Sequence, residues 1–204
     1  MSLQLPSADF SSLVLPVTDL NPSKLVRISR YNSGEPHFGK SGLNRFDDPR
    51  GHLPEADRFG TSYFGGTLAC AFAETVLHDR TADKGTFAIR YSELEQLWVV
   101  TFKGRTLKLA VLTGKNLKQL GGEGGLSSIV PYDIPQQWSL AVHEHPAKVD
   151  GFVYMSRHLN TEVAIVLFDR AEPKLKPTPS IYKNFLDYPG SLRVLQEFGV
   201  EPKA

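Results

Sequence analysis

Apolar positions along the chain fall into short runs separated by polar or glycine- and proline-rich connections, and only a few runs are long enough for helices. Residues 1–24 carry Pro6, Pro16 and Pro22 around a short apolar patch and read as a packed arm. A short strand is expected at Leu25–Ile28, followed over residues 32–60 by a long loop rich in Gly, Pro, Asn and Asp. Loops of that length are often functional. Strand character resumes at Thr61–Phe64, Gly65-Gly66 breaks it, and Thr67 can cap a helix running to about Arg80. Three strands, Thr86–Tyr91, Leu97–Phe102 and Thr106–Val111, then follow with short polar connections, the pattern of an antiparallel sheet. Helices are predicted over Thr113–Leu120 and Ile134–Pro146, strands over Gly151–Met155 and Val163–Phe168, and a last helix over about Ser191–Phe198. Separate helices and strands without regular alternation predict an α+β domain with a mixed or antiparallel central sheet and flanking helices, not a doubly wound one.

At 204 residues and 41% hydrophobic content the chain suits one domain, residues 1–204, with room for a core and a buried cleft. Its 23 basic and 22 acidic residues give no field favouring nucleic acid or an anionic membrane. Met-Ser-Leu-Gln-Leu-Pro has no basic leader region, and no stretch nears the roughly 20 apolar residues of a membrane helix, so a cytoplasmic location is expected. Cys70 is the single cysteine, which excludes an internal disulfide and a cysteine-based zinc site. Gly121-Gly-Glu-Gly-Gly125 lacks the Lys and Ser/Thr of a phosphate loop and reads as a flexible surface loop.

Several polar residues stand where the pattern asks for apolar ones. Glu74 interrupts an otherwise buried helix, Leu68–Leu77, where a carboxylate must be paired, hydrogen-bonded or used. It lies at the edge of a core stripe of Phe72, Ala73, Val76 and Leu77, with the small side chains of Cys70 and Ala71 one turn back. A structural salt bridge to an arginine is the competing explanation. Arg27 sits inside a short strand, its side chain opposite those of Val26 and Ile28, either as a rigid fork for phosphate or as an edge-strand arginine facing solvent. Arg30 and Tyr31 could substitute for it or assist it. In Asn44-Arg45-Phe46-Asp47-Asp48-Pro49, Arg45 is either a ligand contact or half of an Asp-Arg pair within a turn. Tyr63 could stack on a heterocycle while its hydroxyl bonds a sugar or phosphate, or simply pack. Ser156 and Arg157 come where a strand ends, the usual place from which a sheet residue reaches a pocket. A hydrolase triad at Ser156 is disfavoured, because the Gly-x-Ser-x-Gly elbow is absent although His158 is near. His143-Glu-His145 lacks the spacing that would put both histidines on one metal, so no metal site is expected.

Taken in order, the early strand arginine, Asn44-Arg45-Phe46-Asp47, Tyr63, Ala71-Phe-Ala-Glu-Thr75 and Gly151-Phe-Val-Tyr-Met-Ser-Arg157 resemble the RES domain, named for its arginine, glutamate and serine. The resemblance covers about residues 25–170. It implies a fold similar to ADP-ribosyltransferases and a toxin of a bacterial toxin-antitoxin pair that degrades NAD and is neutralised by an Xre-type helix-turn-helix antitoxin. On this resemblance the family's residues fall on Arg27, Arg45, Tyr63, Glu74 and Ser156, with Arg30-Tyr31 as the other placement of the first arginine.

NAD is then substrate and no cofactor is required. Glu74 would stabilise the positive charge that develops on ribose as nicotinamide leaves, and Arg27 and Arg45 would hold the pyrophosphate. Tyr63 would stack on nicotinamide and Ser156 would fix its amide or a ribose hydroxyl. Two other functions fit the same residues: a protein ADP-ribosyltransferase, and a non-enzymatic binding module whose Arg and Glu form an ion-pair network. Expected partners are the antitoxin and NAD, without direct nucleic-acid or membrane contact. A homodimer or a toxin-antitoxin hetero-oligomer would accommodate them.

Overall fold

The computed structural model describes residues 3–175 and 179–203; Met1 and Ser2, the first residues of the amino-terminal segment read above, lie outside them. Eight strands form one sheet: β1 (Val17–Leu20), β2 (Val26–Ser29), β3 (Thr61–Gly65), β5 (Trp98–Thr101), β6 (Leu107–Leu112), β7 (Gly151–Met155), β8 (Val163–Phe168) and β9 (Ile181–Asn184). Their order is β1-β6-β7-β8-β3-β2-β5-β9, and every neighbouring pair is antiparallel except β6 with β7. The chain from β6 to β7 carries α3 (Gly114–Gln119) and α4 (Asp133–Glu144), the long crossover that a parallel pair requires. A separate parallel pair joins β4 (Phe87–Arg90) to β10 (Val200–Lys203).

Alternation along the strands sorts the core onto the two faces of the sheet. On β8, Val166 and Phe168 join a cluster with Phe46, Trp138 and Phe152, while Ile165 and Leu167 point to the other face with Phe64, Val100 and Leu107. A third cluster, on the same face as the first, packs Ile28 and Val99 under α1 (Leu68–Thr75) and α6 (Ser191–Glu197). Each fully buried Phe or Leu contributes about 1.5–3 kcal/mol. The amino-terminal arm belongs to the first cluster: Leu3 and Phe10 are buried, and the Trp138 indole donates to the Gln4 carbonyl at 2.9 Å. Phe185 stacks on Phe72 and Leu195 is buried beside it, so the apolar carboxy-terminal pieces pack on the core.

Several sequence expectations need correction. The strand predicted at Thr86–Tyr91 lies in the small sheet, and β5 and β6 do not pair with each other; β5 sits between β2 and β9, and β6 between β1 and β7. The predicted helix to Arg80 stops at Thr75, after which Leu77 N–H reaches back five residues to the Phe72 carbonyl and the chain turns. Thr67 does cap it, its hydroxyl accepting from Cys70 N–H at 3.1 Å. The segment from Gly121 to Gly125 is no loose surface loop, since it leads into a short 3-10 turn, Gly124–Ser127, that buries Leu126. Strands β1, β9 and β10 are missing from the sequence reading because they are short and largely exposed.

Candidate active site

Between the two same-face clusters the sheet is left uncovered, and a cleft of about 340 Å³ opens over β2, β3 and the end of β7. The turn from β3 into α1 sets its depth. A Cβ on Gly65 would lie 2.5 Å from the backbone nitrogen of Ala71 and 2.8 Å from the Thr67 carbonyl, so only glycine lets the helix fold back this closely. The helix thereby brings Glu74 to the cleft beside Ala71 and Thr75.

Glu74 is partly buried, and one of its two carboxylate oxygens is tightly held. Its Oε1 accepts from the Ser156 hydroxyl at 2.5 Å, from Arg157 N–H at 3.0 Å and from His158 N–H at 3.4 Å. Among the described residues no donor reaches Oε2, and no Lys, Arg or His side-chain nitrogen lies within 4.0 Å of the carboxylate. The salt bridge that competed with a functional role for Glu74 is therefore absent among those residues. Ser156 is 1% exposed and does not line the cleft. Its hydroxyl donates to Glu74 and accepts from Leu159 N–H at 3.0 Å, which ties the loop after β7 to the helix.

Arg27 occupies a split in the sheet. Strands β2 and β3 share one register pair, Val26 with Gly65, and then diverge. The guanidinium enters the gap, where Nη1 donates to Ser62 Oγ at 2.9 Å and to the Tyr63 carbonyl at 3.2 Å. Its Nε lies 2.9 Å from the carboxylate of Glu35, whose side chain is 6% exposed. Arg27 thus lines the cleft while its charge is already partly matched. Arg30 and Tyr31 are exposed and face an adjoining depression that shares Arg27 and Thr75, outside the Glu74 cleft.

Arg45 reaches the opposite wall. The turn that carries it does contain an Asp-Arg pair, but the partners are Asp48 and Arg50, bonded through two guanidinium nitrogens at 2.9 and 2.7 Å. Asp47, fully buried, instead accepts from Thr61, Ser41 and Asn44. Arg45 is left to donate to the Ile129 carbonyl at 2.6 Å and to lie over the Tyr132 ring at 4.6 Å. Burial lowers its pKa, with the nearby Arg157 adding to the effect and Tyr132, Tyr154 and Glu74 opposing it. Tyr63 presents its ring to the cleft, but its hydroxyl is engaged below, accepting from Phe46 N–H at 3.0 Å and lying 3.3 Å from Asp47 Oδ1. Burial, with the Asp47 charge, pushes that phenol far above its ordinary pKa.

His78, Tyr132, Tyr154 and His158, which had no site role in the sequence reading, complete the walls together with Arg157, which the sequence placed at a strand end from which a pocket is reached. The position of His78 four residues after Glu74 was a usable signal, and Tyr154 alternates with Phe152 on one strand face. Nothing in the sequence announced Tyr132. Burial raises the Tyr154 phenol well above its usual pKa and the Cys70 thiol to about 11, with Glu74 adding to both. Both stay protonated at neutral pH, so neither is an ionised nucleophile.

No helix among the described residues is long and apolar enough to cross a membrane. The protein called Probable toxin y4kH from Sinorhizobium fredii (strain NBRC 101917 / NGR234) is 32% identical over 120 residues, which cover 58% of this chain and 92% of that protein. The fold is similar to one in the crystal structure of the M. tuberculosis MbcT-MbcA toxin-antitoxin complex, with a TM-score of 0.58 at 11% identity, covering 95% of this chain and 98% of that one. The family model of the RES domain matches residues 24–187, and the chain belongs to that family.

Proposed function

We propose that this protein is the toxin of a toxin-antitoxin pair and that it degrades NAD by breaking the bond between nicotinamide and ribose. Family membership, the similarity to a protein named as a toxin and the fold shared with a toxin-antitoxin complex support the first part. The second part rests on one observation: Glu74 is clamped through Oε1 by three donors and offers Oε2 to a cleft with arginines on its walls. A cleft of this size is at the lower end of small-molecule sites and suits the reacting half of a dinucleotide.

Loss of nicotinamide leaves an oxocarbenium-like ribose, and a carboxylate already fixed in position stabilises that charge without having to reorganise. Ser156 then acts as a positioning residue. Its hydroxyl has both a donor and an acceptor role filled, so it sets the angle of the carboxylate and does not touch nicotinamide. Arg45, supported by Arg27 in the sheet split, holds the pyrophosphate, and the Tyr63 ring forms the floor against which the base packs. The fold is of the ADP-ribosyltransferase kind in this proposal, and the partner that silences the toxin is an Xre-type antitoxin.

The test is incubation of purified protein with NAD in water and in phosphate buffer, with products identified by mass spectrometry. Free nicotinamide with ADP-ribose indicates hydrolysis, and nicotinamide with phosphorylated ADP-ribose indicates phosphorolysis. Intact NAD after prolonged incubation contradicts the proposal.

A further inference from the structure

Two imidazoles stand beside Glu74 that bond cleavage, as derived above, does not use. His78 comes from the turn that ends α1, and His158 from the loop that Ser156 and Glu74 hold in place; their rings are 4.5 Å apart at 52°. One ligand atom from each of Glu74, His78 and His158 lies within 4.8 Å of the others. His158 Nε2 is buried and has no hydrogen-bond partner among the described residues. A buried ring nitrogen without a partner costs free energy unless something fills the place.

We propose that Glu74, His78 and His158 bind a divalent transition-metal cation of the zinc class, and that its occupation switches the cleft off; the switching half rests on the function proposed above. Two imidazoles and one carboxylate form a tetrahedral donor set with one position open. Zinc bonds of about 2.0–2.2 Å put neighbouring ligand atoms about 3.3 Å apart. Side-chain rotations of the exposed His78 and of the unbonded arm of Glu74 close the remaining gap. The other charged groups facing the cluster are Arg45, Arg157 and the exposed Asp79, whose carboxylate is 3.7 Å from His78 Nε2. Two nearby guanidinium groups oppose any cation held by charge alone, so magnesium and calcium, which need several oxygens, are excluded while an imidazole-bound metal is not. A bound cation takes the Oε2 lone pairs that would face ribose and sets a positive charge where positive charge must develop.

Equilibrium dialysis of chelator-treated protein against zinc, without nucleotide, tests the site. One equivalent should bind per chain, with affinity at least tenfold weaker in His78→Gln and in His158→Gln and unchanged in His52→Gln, which alters an exposed histidine. Cobalt in place of zinc should show the visible absorption of tetrahedral imidazole coordination in the wild type, a readout that needs no variant to fold. Failure of the wild type to take up zinc, or equal uptake by the His78→Gln/His158→Gln double variant, overturns the proposal. Saturating zinc should also slow NAD cleavage by at least tenfold, reversibly with chelator; undiminished cleavage at full occupancy overturns the switching half. Because binding is read without NAD, it stands or falls separately from the catalytic proposal.

Discussion

Ser156 and Glu74, 82 residues apart in the chain, meet through a 2.5 Å hydrogen bond that joins the end of β7 to the helix on the cleft wall. The same hydroxyl accepts from Leu159 N–H, so one buried oxygen orders both the carboxylate and the loop carrying Arg157 and His158. Replacing Ser156 with Ala removes one of three donors to Oε1 and leaves an amide without its acceptor. Stability should fall by about 1–3 kcal/mol and NAD cleavage by roughly tenfold or more, mainly in kcat. A stable variant whose kcat matches the wild type would remove the positioning role.

Some of this was legible in the sequence and some was not, for physical reasons. Glu74 stood out because a carboxylate inside an apolar helix must be paired, hydrogen-bonded or used, and β7 and β8 were readable to the residue because their burial is nearly continuous. Arg27 was visible as an oddity, but the split that holds it depends on strands 35 residues apart diverging after one pair, which no local pattern records. The pairing of Asp48, not Asp47, with arginine depends on where Thr61 and Phe59 lie in space. Edge strands such as β10, with Pro202 in its middle, bury too little apolar surface to leave an alternation.

Tyr63 should matter more for folding than for binding. Its hydroxyl accepts the Phe46 amide and sits against the buried Asp47, so Tyr63→Phe leaves that amide unsatisfied. We expect a loss of about 1–2 kcal/mol, a fall in Tm of roughly 2–8 °C, and little change in KM for NAD. A large rise in KM at unchanged Tm would instead give the hydroxyl a substrate contact.

The two cleft arginines should separate in their effects. Arg27→Ala leaves the buried Glu35 carboxylate unpaired and should lower stability by about 2–3 kcal/mol, roughly 5–10 °C in Tm. Arg45→Ala removes a guanidinium bonded to one backbone carbonyl and stacked on Tyr132, so its main effect should be about a tenfold rise in KM with a much smaller thermal shift. Thermal scans and NAD kinetics on both variants give the comparison, and the reverse pattern would exchange their roles.

His143 makes stability depend on pH. Burial, aided by Arg170, lowers its pKa to about 4 from an ordinary 6.5, and its ring stacks on Phe59 at 4.3 Å. The unfolded chain therefore binds a proton between those values that the folded chain refuses. The stability His143 contributes is complete above about pH 6.5 and is lost as pH falls towards 4. The ceiling is about 3 kcal/mol, reduced by partial exposure to the order of 1–2 kcal/mol. Between pH 7 and pH 5, Tm should drop less in His143→Phe than in the wild type; equal drops would exclude this histidine as the cause.

The central claim is that the Glu74 carboxylate, held through Oε1 and open at Oε2, carries the chemistry. NAD depletion by purified Glu74→Gln, compared with wild type at matched Tm, tests it most directly. The amide keeps the shape while losing the charge, and the rate should fall by about 10²–10³. Equal depletion of NAD by the two proteins would contradict the account.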